Sequence, residues 1–80
     1  RVNAVNPGYI QGEPIQKAFE VRGRARGLRT EEIEAEIVAQ TALGYIPGPD
    51  EIAGSVVFLC SELSRPVTGH VLDCNSGMWM

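Results

Sequence analysis

The feature that most constrains this chain is a pair of short apolar runs that lie far apart in the sequence. The first begins at Val2 and ends at the turn Asn6-Pro7-Gly8, and the second covers residues 70–74. Each run is short, apolar and bounded by turn residues, which predicts a buried strand. The first strand is predicted to stop at Pro7, because proline has no N–H and restricts the residue before it. About 60 residues of mostly helical pattern separate the runs, which is too long for a hairpin. We therefore predict two parallel strands joined by a helical crossover.

Two parallel strands are too few for a complete domain. A sheet of this kind needs more strands and helices on both faces. A chain of 80 residues also buries only about 60% of its unfolded surface, which leaves it marginally stable alone. The fold class is therefore α/β, and the chain is expected to form one edge of a larger domain.

The first helix is predicted to begin at Glu13, because Pro14 suits an early helical position. It is predicted to end at Gly23, with a loop over residues 23–29. Thr30 is the predicted N-cap of a second helix, which ends by Gly44.

A third helix is predicted over residues 51–62 with Asp50 as its N-cap. Its apolar side chains recur at helical spacing, and they are Ile52, Val56, Leu59, Cys60 and Leu63. A second short buried strand then ends at the turn residues 75–77, and residues 78–80 form an apolar tail.

A cluster of arginines interrupts the otherwise ordinary composition, and it consists of Arg22, Arg24, Arg26 and Arg29. Four glutamates follow within residues 31–36 and would neutralise much of its field. The favoured interpretation is a solvated loop, with an anion or phosphate site as the alternative. The net charge of −3 argues against nucleic acid as the main partner.

Cys60 and Cys74 match no metal-ligand spacing, and only His70 could join them, whereas a structural metal needs about four ligands. We predict two buried thiols, a structural role for His70 and no metal site. No apolar run approaches the roughly 20 residues of a membrane span. The opening residues lack both a Met and a secretory signal. We therefore expect that Arg1 is not the natural start and that the protein is cytoplasmic.

Two segments resemble the C-terminal third of short-chain dehydrogenase/reductases. The first is residues 1–10, which contain Asn6-Pro7-Gly8, and the second is residues 49–73. The second contains Pro49-Asp50-Glu51-Ile52-Ala53 and later Thr68-Gly69 before the last strand.

The resemblance implies a Rossmann-like doubly wound fold that binds NAD or NADP outside the carboxyl ends of its strands. In the family, the backbone amide and carbonyl at the position of Ile10 hydrogen-bond the nicotinamide carboxamide, and Pro7 and Gly8 pack beside the ring. Tyr9 either lines the substrate pocket or caps the core. Gly12 replaces a threonine whose hydroxyl usually helps to hold the cofactor. The family's Asp-Gly-Gly ending is represented only by Asp73 and Gly77.

The resemblance also divides the chain into a strand and cofactor loop (1–10), substrate-lid helices (11–48), and a helix, last strand and tail (49–80). None of the family's catalytic residues is present, so they are expected upstream, in the remainder of the domain. The implied activity is interconversion of an alcohol and a ketone by hydride transfer in a homodimer or homotetramer, without nucleic-acid or membrane partners. The alternative is a non-catalytic fragment or interaction module that uses the last helix and strand for oligomerisation.

Overall fold

The computed structural model describes residues 1–79, so Met80 of the predicted apolar tail lies outside the described residues. In chain order the elements are β1 (Ala4–Pro7), α1 (Glu13–Arg26), α2 (Thr30–Ala39), α3 (Pro49–Cys60), a 3-10 turn (Glu62–Ser64) and β2 (Val71–Cys74). The two strands pair in parallel, with Ala4 opposite Val71 and Pro7 opposite Cys74. The predicted parallel pair with a helical crossover is confirmed.

The first helix is longer than predicted, because Gly23 lies inside α1 rather than at its end. The left-handed C-cap is Gly27, whose φ is 69° and whose N–H donates to the Gly23 carbonyl. A Cβ at Gly23 would lie 2.6 Å from the Leu28 carbonyl oxygen. Gly23 therefore allows the turn between α1 and α2 to approach the helix, and the predicted loop over 23–29 shrinks to a few residues.

Both predicted N-caps are wrong by one or two positions. Arg29 precedes α2, and its N–H donates to the Glu32 carboxylate at 3.2 Å. Gly48 precedes α3, and its N–H donates to the Glu51 carboxylate at 2.9 Å. In both helices a glutamate at the third helical position satisfies an amide that has no partner in the helix.

The packed core lies between α1, α2 and the loop that follows them. Its members are Phe19, Ile33, Ile37 and Ile46. The strands, predicted to be buried, are largely exposed: Val71 keeps 57% of its surface in water. The buried-thiol prediction fails for Cys60, which is exposed, and Cys74 is only half-buried. The strands and the cysteines are exposed for the same reason. Helix α3 covers one side of the strand pair, and nothing within residues 1–79 covers the rest.

The shape agrees with an incomplete sheet. The radius of gyration is 15.2 Å, compared with about 12 Å for an independent domain of this length. No helix within residues 1–79 has both the length and the apolar character needed to cross a bilayer, and the longest, α1, has 14 residues.

Candidate functional site

The candidate site lies where the two strands end side by side. Asn6 Nδ2 donates to Asp73 Oδ1 at 2.9 Å across the end of the pair. Just beyond, a Cβ at Gly8 would lie 2.8 Å from the Asn75 Cβ and 3.6 Å from the Trp79 ring. The absence of a side chain at Gly8 therefore allows the segment after β1 and the segment after β2 to touch.

An open pocket of about 480 Å³ follows this contact. Its lining residues are Gly8, Tyr9, Ile10, Gln11, Gly12, Pro14 and Ile15. It brings together three of the residues predicted from the family resemblance, Gly8, Tyr9 and Ile10. Pro7 ends β1 at the edge of this region, and it is exposed and outside the lining.

The backbone of Ile10 is held in place with its polar groups free. The next amide, that of Gln11, donates to the Pro47 carbonyl at 2.9 Å. This bond fixes the peptide plane that carries the Ile10 carbonyl. Within residues 1–79 neither the N–H nor the C=O of Ile10 has a hydrogen-bond partner. The arrangement presents one donor and one acceptor to a ligand, which is the pattern that a carboxamide complements.

Tyr9 both packs against the core and lines the pocket. Its ring centroid lies 6.2 Å from that of Phe19 at a tilted angle, and it packs against the core cluster. Its hydroxyl accepts a hydrogen bond from Arg22 Nη1 at 3.3 Å. The core-capping interpretation is thus confirmed, and the same residue also faces the pocket.

A polar junction that was not predicted joins the pocket loop to α1 and α2. Gln11 Nε2 donates to Glu34 Oε1 at 2.5 Å, and Gln16 Nε2 donates to Gln11 Oε1 at 3.1 Å. Gln16 Nε2 also lies 3.4 Å from Glu34 Oε1. The loop after β1 is therefore coupled to α1 through Gln16 and to α2 through Glu34.

A second pocket, of about 300 Å³, lies between the start of α3 and the end of β2. At its margin Tyr45 Oη donates to Glu51 Oε1 at 2.7 Å. This bond and the one from the Gly48 amide lower the pKa of Glu51 below its ordinary range. The same hydrogen bond to Glu51 raises the pKa of the Tyr45 phenol above its ordinary value. Tyr45 therefore belongs to the N-terminal cap of α3, where it binds the same carboxylate as the Gly48 amide.

Comparison with known proteins identifies the family. A family model described as enoyl-(acyl carrier protein) reductase matches residues 1–79. A solved short-chain dehydrogenase family protein from Francisella tularensis superposes with a TM-score of 0.87 at 28% identity, covering 98% of this chain and 32% of that one. This chain belongs to the short-chain dehydrogenase/reductase family. Its fold is therefore a piece of the Rossmann-like doubly wound fold that was predicted.

Curated members of the short-chain dehydrogenase/reductase family are much longer than this chain. An uncharacterised oxidoreductase of Methylorubrum extorquens is 44% identical over 78 residues, covering 98% of this chain and 28% of the relative. The 3-oxoacyl-(acyl-carrier-protein) reductase of Aquifex aeolicus is 37% identical, covering 98% of this chain and 27% of its own length. The chain therefore spans less than a third of the length of these relatives.

One solved family member was determined with a cofactor. A variant of actinorhodin polyketide ketoreductase with NADPH superposes with a TM-score of 0.80 at 28% identity, covering 96% of this chain and 30% of that one.

The remaining candidates lie outside the pocket. His70 is exposed, and its carbonyl accepts a hydrogen bond from the Ala4 N–H at 2.9 Å beside the strand pair, while its own N–H donates to Asn3 Oδ1 at 3.0 Å. Across residues 1–79 no group of three or more His, Cys, Asp or Glu side chains is placed to hold a metal ion. Gly12 lines the pocket and offers no hydroxyl there.

Proposed function

We propose that this segment belongs to a cytoplasmic NAD(P)-dependent oxidoreductase that interconverts an alcohol and a ketone by hydride transfer. Its contribution is the nicotinamide-positioning loop, the substrate lid and part of an oligomer interface. Membership of the short-chain dehydrogenase/reductase family supports this function, as do relatives named as reductases and the neighbour determined with NADPH. The acid–base residues that the reaction needs come from the remainder of the domain.

The observation that carries the proposal is the free backbone pair at Ile10. A bound NAD(P) supplies the hydride-transfer chemistry, and the protein's task is to orient it. The Ile10 N–H and C=O, held by the Gln11–Pro47 hydrogen bond, would bind the carboxamide oxygen and nitrogen. Pro7 and Gly8 would pack beside the ring. Two directional hydrogen bonds of this kind fix which face of the ring meets the substrate.

The residues present fit such a cofactor through the backbone and through close packing. Gly8 keeps the loop in contact with Asn75, whose Cβ lies 2.8 Å from where a Cβ at Gly8 would be, and this contact holds the loop at the edge of the pocket. Gly12 supplies no side-chain hydroxyl, so binding at this edge depends more heavily on Ile10. Tyr9, which lines the same pocket, is the proposed substrate contact.

Residues 11–48 are proposed to act as the lid over the substrate. Their two helices share the buried core of Phe19, Ile33 and Ile37, and Tyr9 and Met78 from the segments after the strands pack against it. The junction of Gln11, Gln16 and Glu34 connects it to the cofactor loop.

The surface of α3 and β2 is proposed to be an interface between copies of the protein in a homodimer or homotetramer. Val57 is 66% exposed and Val71 57% exposed, and large apolar side chains in contact with water commonly mark contact sites. The same observation favours the second candidate function, a non-catalytic interaction module. A Tyr-x-x-x-Lys pair in the sequence that adjoins this segment would distinguish the enzyme from the module.

The test is a pair of substitutions at Ile10 in the full-length protein. Ile10→Pro removes the N–H, whereas Ile10→Ala changes the side chain and keeps both backbone groups. Loss of one hydrogen bond to the carboxamide should weaken cofactor binding about tenfold, or about 1.4 kcal/mol, in the proline variant. The alanine variant should stay close to the wild type.

Cofactor Kd is measured by nucleotide fluorescence, and circular dichroism checks that both variants fold. Equal cofactor affinity in a folded Ile10→Pro variant and the wild type would show that the Ile10 amide does not hold the nicotinamide.

A further inference from the structure

The arginine cluster in and after α1 divides into paired and unpaired side chains. Arg26 Nη1 lies 2.6 Å from Glu36 Oε2, and Arg29 Nε lies 3.1 Å from Glu32 Oε1. These hydrogen bonds lower the pKa of both glutamates.

Arg24 points into solvent and lies 4.0 Å from Glu20. Arg22 is the exception, because no carboxylate within residues 1–79 lies within 4.0 Å of it.

Arg22 contacts the pocket residue Tyr9 instead of an acid. Its Nη1 donates to the Tyr9 hydroxyl at 3.3 Å, and its guanidinium carbon lies 6.0 Å from the centre of the Tyr9 ring. Because the phenol oxygen accepts this bond, the phenol proton remains available to a third group. The contact uses one of the five N–H donors of arginine, so most of the guanidinium fork is also available.

Arg22 lies on the side of α1 that faces the pocket. Ile15 lines the pocket and Phe19 packs against Tyr9, and Arg22 follows them at helical spacing of four and three residues. A mostly apolar pocket wall thus ends at a cation without an acidic partner and at a phenol that can donate. Arg22 itself is exposed beyond this wall, so an anion bound there stays in contact with solvent and its attraction to the guanidinium weakens as salt is added.

We propose that Arg22 and Tyr9 form an anion-recognition subsite that selects alcohol or ketone substrates carrying a carboxylate or a phosphate group. The proposal rests on the proposed function, and it names the substrate class of that same pocket. A carboxylate or phosphate oxygen pair matches the planar guanidinium fork in a bidentate contact, and the Tyr9 hydroxyl adds a third hydrogen bond. Arg22 is a specificity-determining residue in this arrangement and takes no part in the hydride transfer.

The experiment measures ligand binding by calorimetry in the full-length protein loaded with oxidised cofactor. The probes are acetoacetate and its uncharged methyl ester, and dihydroxyacetone phosphate and uncharged dihydroxyacetone. The wild type should bind at least one anion about tenfold or more tightly than its uncharged counterpart, a typical range for a charge-assisted contact. The pair that shows the larger ratio identifies whether the carboxylate or the phosphate is recognised.

Arg22→Gln should reduce this ratio to less than about threefold while changing the Kd of the uncharged probe by less than about twofold. Arg24→Gln is the matched control, because Arg24 is on the same helix, faces solvent and should leave the ratio unchanged. Arg22→Lys keeps the charge and loses the fork, so it should retain an intermediate ratio that falls as NaCl is added.

A wild type that binds the charged and uncharged probes equally would overturn the proposal. So would an Arg22→Gln variant that keeps the wild-type ratio. If Arg22→Gln fails to fold, an Arg22→Lys variant with the full wild-type ratio at all salt concentrations overturns it equally. Hydride transfer is followed separately by NAD(P)H absorbance. Anion preference without turnover would count against the proposed reaction alone.

Discussion

The two halves of this chain differ in how much of their structure is complete within residues 1–79. In the lid, Phe19 is 0% exposed and Ile33 2% exposed, which is the burial expected inside an intact domain. Among the described residues of the half formed by the strands and α3, Leu59 is the one large apolar side chain that is buried, while Leu63 is 83% exposed. The core between α1 and α2 is closed within residues 1–79, with Tyr9 and Met78 packed against it, whereas the strands and α3 leave large apolar side chains exposed.

The difference in burial between the two halves reflects how few contacts connect them. Within the described residues, α1 and α2 pack on each other and do not pack on the strands or α3. The connections that remain run through the segments that follow the strands. Tyr9 and Met78 pack against the core between α1 and α2, and the Leu43 amide donates to the Ser76 carbonyl at 3.0 Å. The two halves are therefore joined by loop contacts and not by packing of α1 or α2 on the strands.

The largest effect on stability is expected from removing a side chain from the core between α1 and α2. Phe19→Ala in the full-length protein should cost about 3–5 kcal/mol of the free energy of unfolding, because it removes a large fully buried ring. The matched control is Val21→Ala on the same helix. Val21 is 61% exposed, so its loss should be small.

Urea denaturation gives the two free energies, and hydrogen exchange locates the weakened amides. Protection should fall in residues 13–39 and persist in the strands. Equal losses for the two variants would mean that the exposed side of α1 is covered in the full-length protein and that the lid is not self-contained.

A smaller effect is expected from adding one methyl group to the tight turn of the lid. Gly23→Ala places a Cβ 2.6 Å from the Leu28 carbonyl oxygen, and the backbone shift should cost about 1–3 kcal/mol. Gly54→Ala is the counterpart in α3, where a Cβ meets no atom within 4 Å.

Improved helix propensity should make Gly54→Ala stabilising, by up to about 1 kcal/mol. Thermal unfolding of both variants measures the contrast. A destabilising Gly54→Ala in the full-length protein would sharpen the comparison, because it would locate a close neighbour on α3 that lies outside this segment.

The smallest expected effect concerns the joint between the halves, where Tyr45 and the Gly48 amide share the Glu51 carboxylate. The pKa of Glu51 is lowered in the folded state from 4.5, so its stabilisation is complete above that value and is lost as the pH falls through the lowered pKa. The pKa of Tyr45 is raised from 10.0, so its stabilisation is complete below that value and is lost as the pH rises through the raised pKa.

Glu51→Gln should therefore destabilise the protein at neutral pH and reduce both the acid and the alkaline loss of stability. Tyr45→Phe should remove the alkaline loss and leave part of the acid loss, because the Gly48 amide still binds Glu51. Urea midpoints measured across the pH range test this. If wild type and Glu51→Gln differ by a constant amount at every pH, the cap is not linked to ionisation.

The sequence predicts the order of elements because the relevant signals are local. Pro7 marks the end of β1, and the spacing of apolar residues marks α2 and α3. The end of α1 was misplaced because glycine ordinarily terminates helices, whereas Gly23 allows close contact with Leu28, five residues later, which periodicity does not report. The N-caps were misplaced because Glu32 and Glu51, rather than the side chains of Thr30 and Asp50, satisfy the free amides.

Burial was the least predictable property. Apolar strands and cysteines predict an interior, whereas within residues 1–79 Val71 and Cys60 are exposed. Cys60 is exposed because nothing within residues 1–79 packs over its part of α3.

The candidate site followed from the family resemblance and not from the residue pattern alone. Asn6-Pro7-Gly8 by itself predicts only a turn at the end of a strand. The contact of Arg22 with Tyr9 joins residues 13 positions apart, and that of Glu34 with Gln11 joins residues 23 positions apart. Contacts of this kind depend on how α1 and α2 dock, so sequence spacing could not predict them.

The parallel pairing of β1 with β2 also affects the order in which the parts of the chain fold. Asn6 and Asp73, which meet at the end of the pair, are 67 positions apart, whereas Arg26 and Glu36, which join the two lid helices, are 10 apart. Closing a long loop costs more chain entropy than closing a short one, and non-local pairing slows folding. The helical hairpin of α1 and α2 is therefore expected to form early as the chain folds, and β1 is expected to gain its partner late.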